Sequence, residues 1–220
     1  MSAKDRKRVA KMLHDHGWKS DVEVMDLCEG ELWTEGDVVD AALGSLVKKL
    51  PRVTKLLRGA RHACAVHHPN DQGGAWFVAY LLGDDPDGRG MFLCGSPNPE
   101  ANEAGGWKLP APLRELYARH DGLGYPMFEH GWVGFDPGVM PASRVVVPEV
   151  PNHEDLLRFT RGWGEVGEGG WCFAGKRKLE IVDVEDRHGG RSDAVRFDFW
   201  GFLDRYLTGD TDELPEAERF

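Results

Sequence analysis

Histidine and cysteine crowd together in one stretch of the chain, His62-Ala63-Cys64-Ala65-Val66-His67-His68-Pro69. Imidazole and thiolate both ligate zinc. On a strand, where side chains alternate, His62, Cys64 and His68 share a face. Zinc sites, however, draw paired ligands from a turn and further ligands from elsewhere, and the chain has neither Cys-x-x-Cys nor His-Glu-x-x-His. The cluster therefore reads as structural or surface histidines, and no metal is assigned to it.

Asp183, Glu185 and Asp186 stand at the end of an apolar run, where carboxylates form either an acid pair, a cation site or a plain solvated rim. The rim is the expected reading. Nucleophile chemistry finds no footing, because Ser45, Ser96, Ser143 and Ser192 lack a Gly-x-Ser-x-Gly elbow. Gly167-Glu168-Gly169-Gly170 has the glycines of a phosphate loop without the Lys-Ser/Thr that follows one, so it reads as a turn entering a strand. The His-x-Glu with Pro-Cys-x-x-Cys pattern of zinc deaminases is also missing. No group of residues demands catalysis, and the expectation is a non-enzymatic chain with no cofactor.

Size and charge narrow the field further. A chain of 220 residues has enough length to bury a substantial core. Its 27 basic and 37 acidic residues leave a net charge of -10, with the acid concentrated toward the C-terminal end. That sign repels phosphate backbones, so direct nucleic-acid binding is not expected, whereas a basic protein partner is steered in. No apolar run approaches the length of about 20 residues that crosses a bilayer. The basic start, Met1 to Arg8, has no apolar stretch behind it, and the chain reads as soluble and cytoplasmic, without a membrane partner. Cys28, Cys64, Cys94 and Cys172 are widely spaced and read as free buried thiols.

The elements that would position any site begin with a short amphipathic helix over residues 4–16, with Val9, Met12, Leu13 and His16 on one face. Val39, Ala42, Leu43, Leu46, Val47 and Leu50 then repeat at 3.6-residue spacing. Thr34 or Asp37 is placed to cap that helix, and Pro51 ends it or kinks it into a further turn before Gly59. From Ala60 to Ser96 the pattern changes to three short β-favouring runs, 63–66, 76–82 and 91–94, which predict a meander. The polar stretch 97–106 is a linker or surface loop.

Residues 109–124 hold a helix with clear punctuation. Pro110 and Pro112 suit its entry, Leu113, Leu116, Tyr117 and His120 form its stripe, and Gly122 is placed to end it in the left-handed region. Gly131 to Pro141, rich in glycine and proline, predicts a loop with apolar anchors Trp132, Phe135 and Met140. A short strand is expected over Arg144–Val150, then a helix capped by Asn152 and running to about Gly162. Strands follow over 171–174, 179–184 and 194–197, with a hairpin-like turn at 187–191. Asp198 caps a closing helix with Phe199, Phe202, Leu203, Tyr206 and Leu207 on its stripe, and an acidic tail covers 208–220.

The Leu109-Pro110 helix ending in His120-Asp121-Gly122, the loop and short strand to Pro148, the Gly-rich entry to Trp171-Cys172-Phe173 and the closing Phe199-Trp200-Gly201-Phe202-Leu203-Asp204-Arg205-Tyr206-Leu207 helix resemble, in their order, the SUKH superfamily. That superfamily includes a fungal regulator of cell-wall synthesis and bacterial immunity proteins that neutralise toxins. The likeness covers residues 107–207. Where the family's helix ends in Asn-Gly this chain has Asp121-Gly122, which serves the same turn chemistry. The resemblance implies an α+β fold without catalytic residues, in which a mostly antiparallel sheet is flanked by helices. Residues 1–106 then form an N-terminal extension of helices and β-meander, and 208–220 the tail.

The function expected on these grounds is non-catalytic: an immunity protein that binds and neutralises a cognate protein toxin, a basic nuclease being the kind of toxin the acidity suits. Tryptophan is an interface hot-spot residue where it is exposed, and eight are present. The candidate partner-binding patch is Trp163, Glu165, Glu168, Asp183, Glu185 and Asp186, with Tyr125 and Trp132 on a neighbouring loop. A regulatory or scaffold protein of the same fold with a different partner is the alternative. A metal-dependent or small-molecule-binding enzyme built around His62, Cys64, His67 and His68 is a third.

Overall fold

The 3.6-residue spacing from Val39 to Leu50 does make helix, but Pro51 divides it. Val38–Leu43 is α-helical (α2), Gly44–Lys48 tightens to a 3-10 turn, and a new helix, α3, runs over Pro51–Arg58. Pro51 occupies the first turn of α3, where its missing N–H leaves nothing unpaired. The structure is a computed structural model and describes residues 2–15, 23–27, 38–68, 75–83, 89–104, 106–129, 132–145, 156–160, 170–174, 180–184 and 198–209. Before α2 come α1 (Ala3–Asp15) and β1 (Glu23–Met25); Thr34 and Asp37, the expected caps, lie outside the described residues.

After α3 the meander forms as its alternation predicts: β2 (His62–His68), β3 (Ala75–Leu81) and β4 (Met91–Gly95). A small ribbon of β5 (Glu103–Ala104) and β6 (Trp107–Lys108) leads into α4 (Ala111–Tyr117). Two strands follow, β7 (Leu123–Glu129) and β8 (Trp132–Val139). The main sheet has six strands in the order β1-β2-β3-β4-β7-β8, every pairing antiparallel. Because β4 pairs with β7, one sheet runs through both the 1–106 and the 107–207 segments. The fold is α+β, an antiparallel sheet with helices packed on it.

Alternation along the strands gives the sheet two apolar faces. Cys64, Val66, Phe77, Ala79, Leu81, Met91, Leu93 and Phe135 face α1, which sets Val9 and Leu13 against them. Ala65, Val78, Tyr80, Phe92, Cys94, Leu123, Tyr125 and Val139 face the other way, into the larger core that holds α2, α3 and α4. A second sheet, β9 (Leu156–Arg158), β10 (Gly170–Ala174) and β11 (Glu180–Val184), adds Leu157, Phe173 and Ile181 to that core. There Phe159, Phe173, Phe199 and Phe202 meet ring to ring at centroid distances of 4.7–6.3 Å. The closing helix α5 (Phe199–Leu207) is capped as expected, Asp198 accepting hydrogen bonds from the Trp200 and Gly201 N–H groups at 3.3 and 3.2 Å.

Three expectations are corrected. Gly131–Pro141 is not a loop: β8 occupies most of it, and glycine and proline are tolerated there because it is an edge strand. The helix expected after Asn152 is strand β9 where it is described, since Leu156 and Leu157 bury against β10 and their adjacency carries no helical period. The strand expected over Arg144–Val150 begins as a 3-10 turn at Ala142–Arg144; residues 146–150 lie outside the described residues, as do 194–197.

The stripe on α4 is buried as its spacing requires, with Leu113, Leu116 and Tyr117 all inaccessible and Tyr117 donating its hydroxyl to the Met140 carbonyl at 2.9 Å. The helix itself stops at Tyr117, three residues before His120. Gly122 does take a positive φ, +88°, but its service is a close approach rather than a helix end: a Cβ there would stand 2.7 Å from the Phe135 ring. Beside it the fully buried His120 ring donates from Nδ1 to the Gly95 carbonyl at 2.9 Å, tying the turn after α4 to the end of β4. Burial lowers the His120 pKa to about 4, outweighing the backbone carbonyls of Gly95 and Ala42, which favour a charged ring.

His120 is neutral in the fold and free to protonate when unfolded, so the unfolded chain binds the extra proton between pH 6.5 and about 4, and stability falls as pH drops through that window. At about 1.4 kcal/mol per unit the loss reaches about 3 kcal/mol by pH 4. Urea unfolding from pH 7 to 4.5 should show this slope in the native chain. In His120→Gln, a less stable protein at pH 7, the slope should be missing; an unchanged slope refutes the assignment.

Candidate functional site

Helix α3 sends Val53 and Leu57 inward, and on its other side Arg52, Lys55 and Leu56 follow at the i, i+3 and i+4 positions that share a surface. Its first turn is held by a residue far away in sequence. Asp204 of α5 accepts hydrogen bonds from the Arg52 N–H at 3.0 Å through both carboxylate oxygens, and from the Val53 N–H at 3.0 Å. The carboxylate thus acts as a helix cap supplied in space instead of along the chain, and it sits only 4 % exposed. Burial raises the Asp204 pKa, while the N–H groups of Val53 and Arg52 pull the other way.

Joined in this manner, α3 and the end of α5 form two walls of an open groove of about 650 Å³. Arg52, Lys55, Leu56 and Gly59 line it from α3, Thr208 and Gly209 from the end of α5, and Leu82 from the chain after β3. The hairpin end beyond Leu82 is fixed by hydrogen bonds from the Leu82 and Gly83 N–H groups to the Gly90 carbonyl, at 2.8 and 3.3 Å. That brings Arg89 against Gly209, where an added Cβ would lie 3.1 Å from the guanidinium. The carbonyls at both helix ends are occupied: Gly59 N–H bonds Lys55 and Leu56, and Thr208 and Gly209 N–H bond Arg205 and Tyr206. No carboxylate lines the groove among the described residues, because Asp204 turns inward and Asp40 pairs with Arg58, 2.6 Å away, on α3. Among the described residues, the groove is thus lined by Arg52 and Lys55 beside an aliphatic floor of Leu56 and Leu82.

The sequence-based patch fares differently. Tyr125 is 6 % exposed and packs edge-on against Phe92 at 5.3 Å, so it belongs to the core and corrects the expectation of a loop contact. Trp132 begins β8 opposite Glu129, and Asp183 lies in β11 opposite Trp171; the side chains of both are outside what is described. Trp163, Glu165, Glu168, Glu185 and Asp186 lie outside the described residues. Of the other tryptophans, Trp107 is buried, and Trp76, Trp171 and Trp200 are half-buried against the core.

The histidine row on β2 is dispersed among neighbours. His62 Nε2 lies 3.8 Å from Asp5 on α1, and His67 lies 4.0 Å from Glu23 on β1 while its ring packs on Trp76 at 4.6 Å. Between them Cys64 is fully buried beneath α1, and desolvation together with the Asp26 charge pushes its thiol up to about 12. Burial likewise raises Cys94 and lowers His68. Among the described residues no group of three His, Cys, Asp or Glu side chains is arranged to hold a metal ion, and no helix is long and apolar enough to cross a membrane. Cys64, Cys94 and Cys172 are free buried thiols.

Comparison with protein-family models, curated proteins and solved structures gives no match.

The groove was not found from the sequence. Arg52 and Lys55 carried a signal, two cations three apart on a periodic helix, but Leu82, Arg89 and Thr208 join them only through the fold. Because Asp204 sets the groove's two walls, Asp204→Ala should lower stability by about 1–2 kcal/mol, the usual cost of a lost cap. Asp204→Asn, which keeps an acceptor, should recover part of it. Denaturant midpoints of the three proteins measure this, and an Ala variant as stable as the native chain refutes the cap.

Proposed function

We propose that this chain is a non-catalytic protein-binding module of the immunity type, which seats a segment of a cognate toxin and so blocks it. One observation carries the reading: the groove between α3 and α5 is an open trough with an aliphatic floor of Leu56 and Leu82 and, among the described residues, Arg52 and Lys55 beside it. A trough of that form leaves a small substrate in contact with bulk water, whereas a length of polypeptide fills it from end to end.

The roles taken by the buried titratable groups support the same reading. His120 is held neutral between backbone carbonyls, Asp204 caps a helix, and Cys64 and Cys94 are kept as thiols. Each of these serves the scaffold. The resemblance of residues 107–207 to the SUKH superfamily, read from the sequence, suggests toxin neutralisation as the purpose of binding.

Co-expression with the toxin encoded beside its gene tests this. Growth should be restored by the native chain, and the two proteins should co-elute on size-exclusion chromatography. A folded chain that neither restores growth nor co-elutes refutes the proposal.

A further inference from the structure

Several cations of the fold have a carboxylate beside them: Arg6 has Asp26, Lys11 has Asp15, Lys49 has Glu115 and Arg58 has Asp40. Arg158 on β9 departs from this. The side chain is half-buried, its Nε is shut away from solvent without a hydrogen-bond partner, and among the described residues no carboxylate pairs with it. Alternation along β9 turns Leu157 into the large core and puts Arg158 on the opposite face of the second sheet, across from Cys172 and two residues beyond the fully buried Leu156. Cys172 is not the missing anion, because its thiol donates to the Gly170 carbonyl at 3.5 Å. Glu180 shares that face but stands two strands and two register positions away. Burial lowers the pKa of the guanidinium, which still carries its charge at neutral pH. A charge taken partly out of water with no counter-charge works against the fold, and a neutral side chain of the same length avoids that cost.

We propose that Arg158 anchors a binding site for a carboxylate carried by a protein partner. A guanidinium presents a planar fork that a carboxylate meets with two parallel hydrogen bonds, and such a pair is strongest where one side of it is already dry. Arginine is also among the residues that dominate binding energy at protein interfaces. Phosphate fits less well. It brings close to two negative charges, and the strands of the second sheet carry no other Lys or Arg to balance the second. The cost of Arg158 in the free chain is then recovered when the partner supplies the anion. This rests on the protein-binding reading and names one chemical group that the partner must bring.

Stability of the free full-length chain is the first test. Arg158→Met keeps the length of the side chain and removes the charge, so its denaturant midpoint should lie above that of the native chain. A lower midpoint reveals a counter-charge within the chain, such as Glu180, and overturns the proposal. Sodium acetate, compared with sodium chloride at matched ionic strength, should raise the thermal midpoint of the native chain more than that of Arg158→Met, and sodium phosphate should give no larger difference between the two proteins. An equal acetate response in both, or a larger difference in phosphate, overturns the carboxylate assignment. The toxin co-elution assay separates this contact from the reading it rests on. Arg158→Met should weaken the native complex at least about tenfold, and Arg158→Lys, which keeps the charge without the fork, should recover only part of the loss. A complex that takes Arg158→Met at full affinity overturns the Arg158 contact alone, and an acetate response at Arg158 without any toxin complex overturns the immunity reading alone.

Discussion

The turn at His120-Asp121-Gly122 is the constraint from which much of the rest follows. Its backbone lies so close to Gly95 that a Cβ on Gly95 would stand 2.2 Å from the Asp121 carbonyl oxygen, and the Gly95 N–H donates to the Gly122 carbonyl at 2.8 Å. Asp121 accepts from the Ala142 N–H at 2.6 Å and from the Asn98 side chain at 2.9 Å, while its own N–H bonds the Ser96 carbonyl. With His120 reaching Gly95, one turn gathers the end of α4, the end of β4 and the chain after β8. A buried polar turn of this kind tolerates little adjustment, because each group left unpaired in a low-dielectric interior costs about 1–3 kcal/mol.

Polar groups elsewhere follow the same economy at a greater sequence distance. Asp204 reaches α3 across some 150 positions of chain, and the two helices it joins are the walls of the groove. Lys49 pairs with Glu115 of α4 and lies 4.7 Å over the Trp200 ring of α5, so the same helices are also tied on their outer side. The groove is thus a by-product of how the helices are fastened.

Much of the scaffold was legible because it is periodic. The stripes on α1, α2, α4 and α5, the Asp198 cap and the three strands of the meander are local patterns, and local patterns are what a sequence displays. Strand β9 is not legible in the sequence, because Leu156 and Leu157 fit a buried strand as well as a helix and Asn152 is a good helix cap. The helix around Leu113 was placed correctly but extended too far, since His120 continues the spacing on a chain that has already turned away. The Asp204 cap and the groove left no such trace. Both are made by residues whose proximity is settled by tertiary packing, where spacing along the chain is silent.

Among the described residues strand β8 stands last in the main sheet, bridged onward where Val139 meets Thr160, and a sheet margin is where a stranger's backbone can add itself. This strand carries Gly134, Pro137 and Gly138, and its pairing with β7 is broken in register between Gly124 and Pro126. Proline withholds a donor and a bulge twists the ladder, so a second molecule finds a poor template along this border. The composition that disguises β8 as a loop to a reader of the sequence also hides it from other chains in a crowded cell.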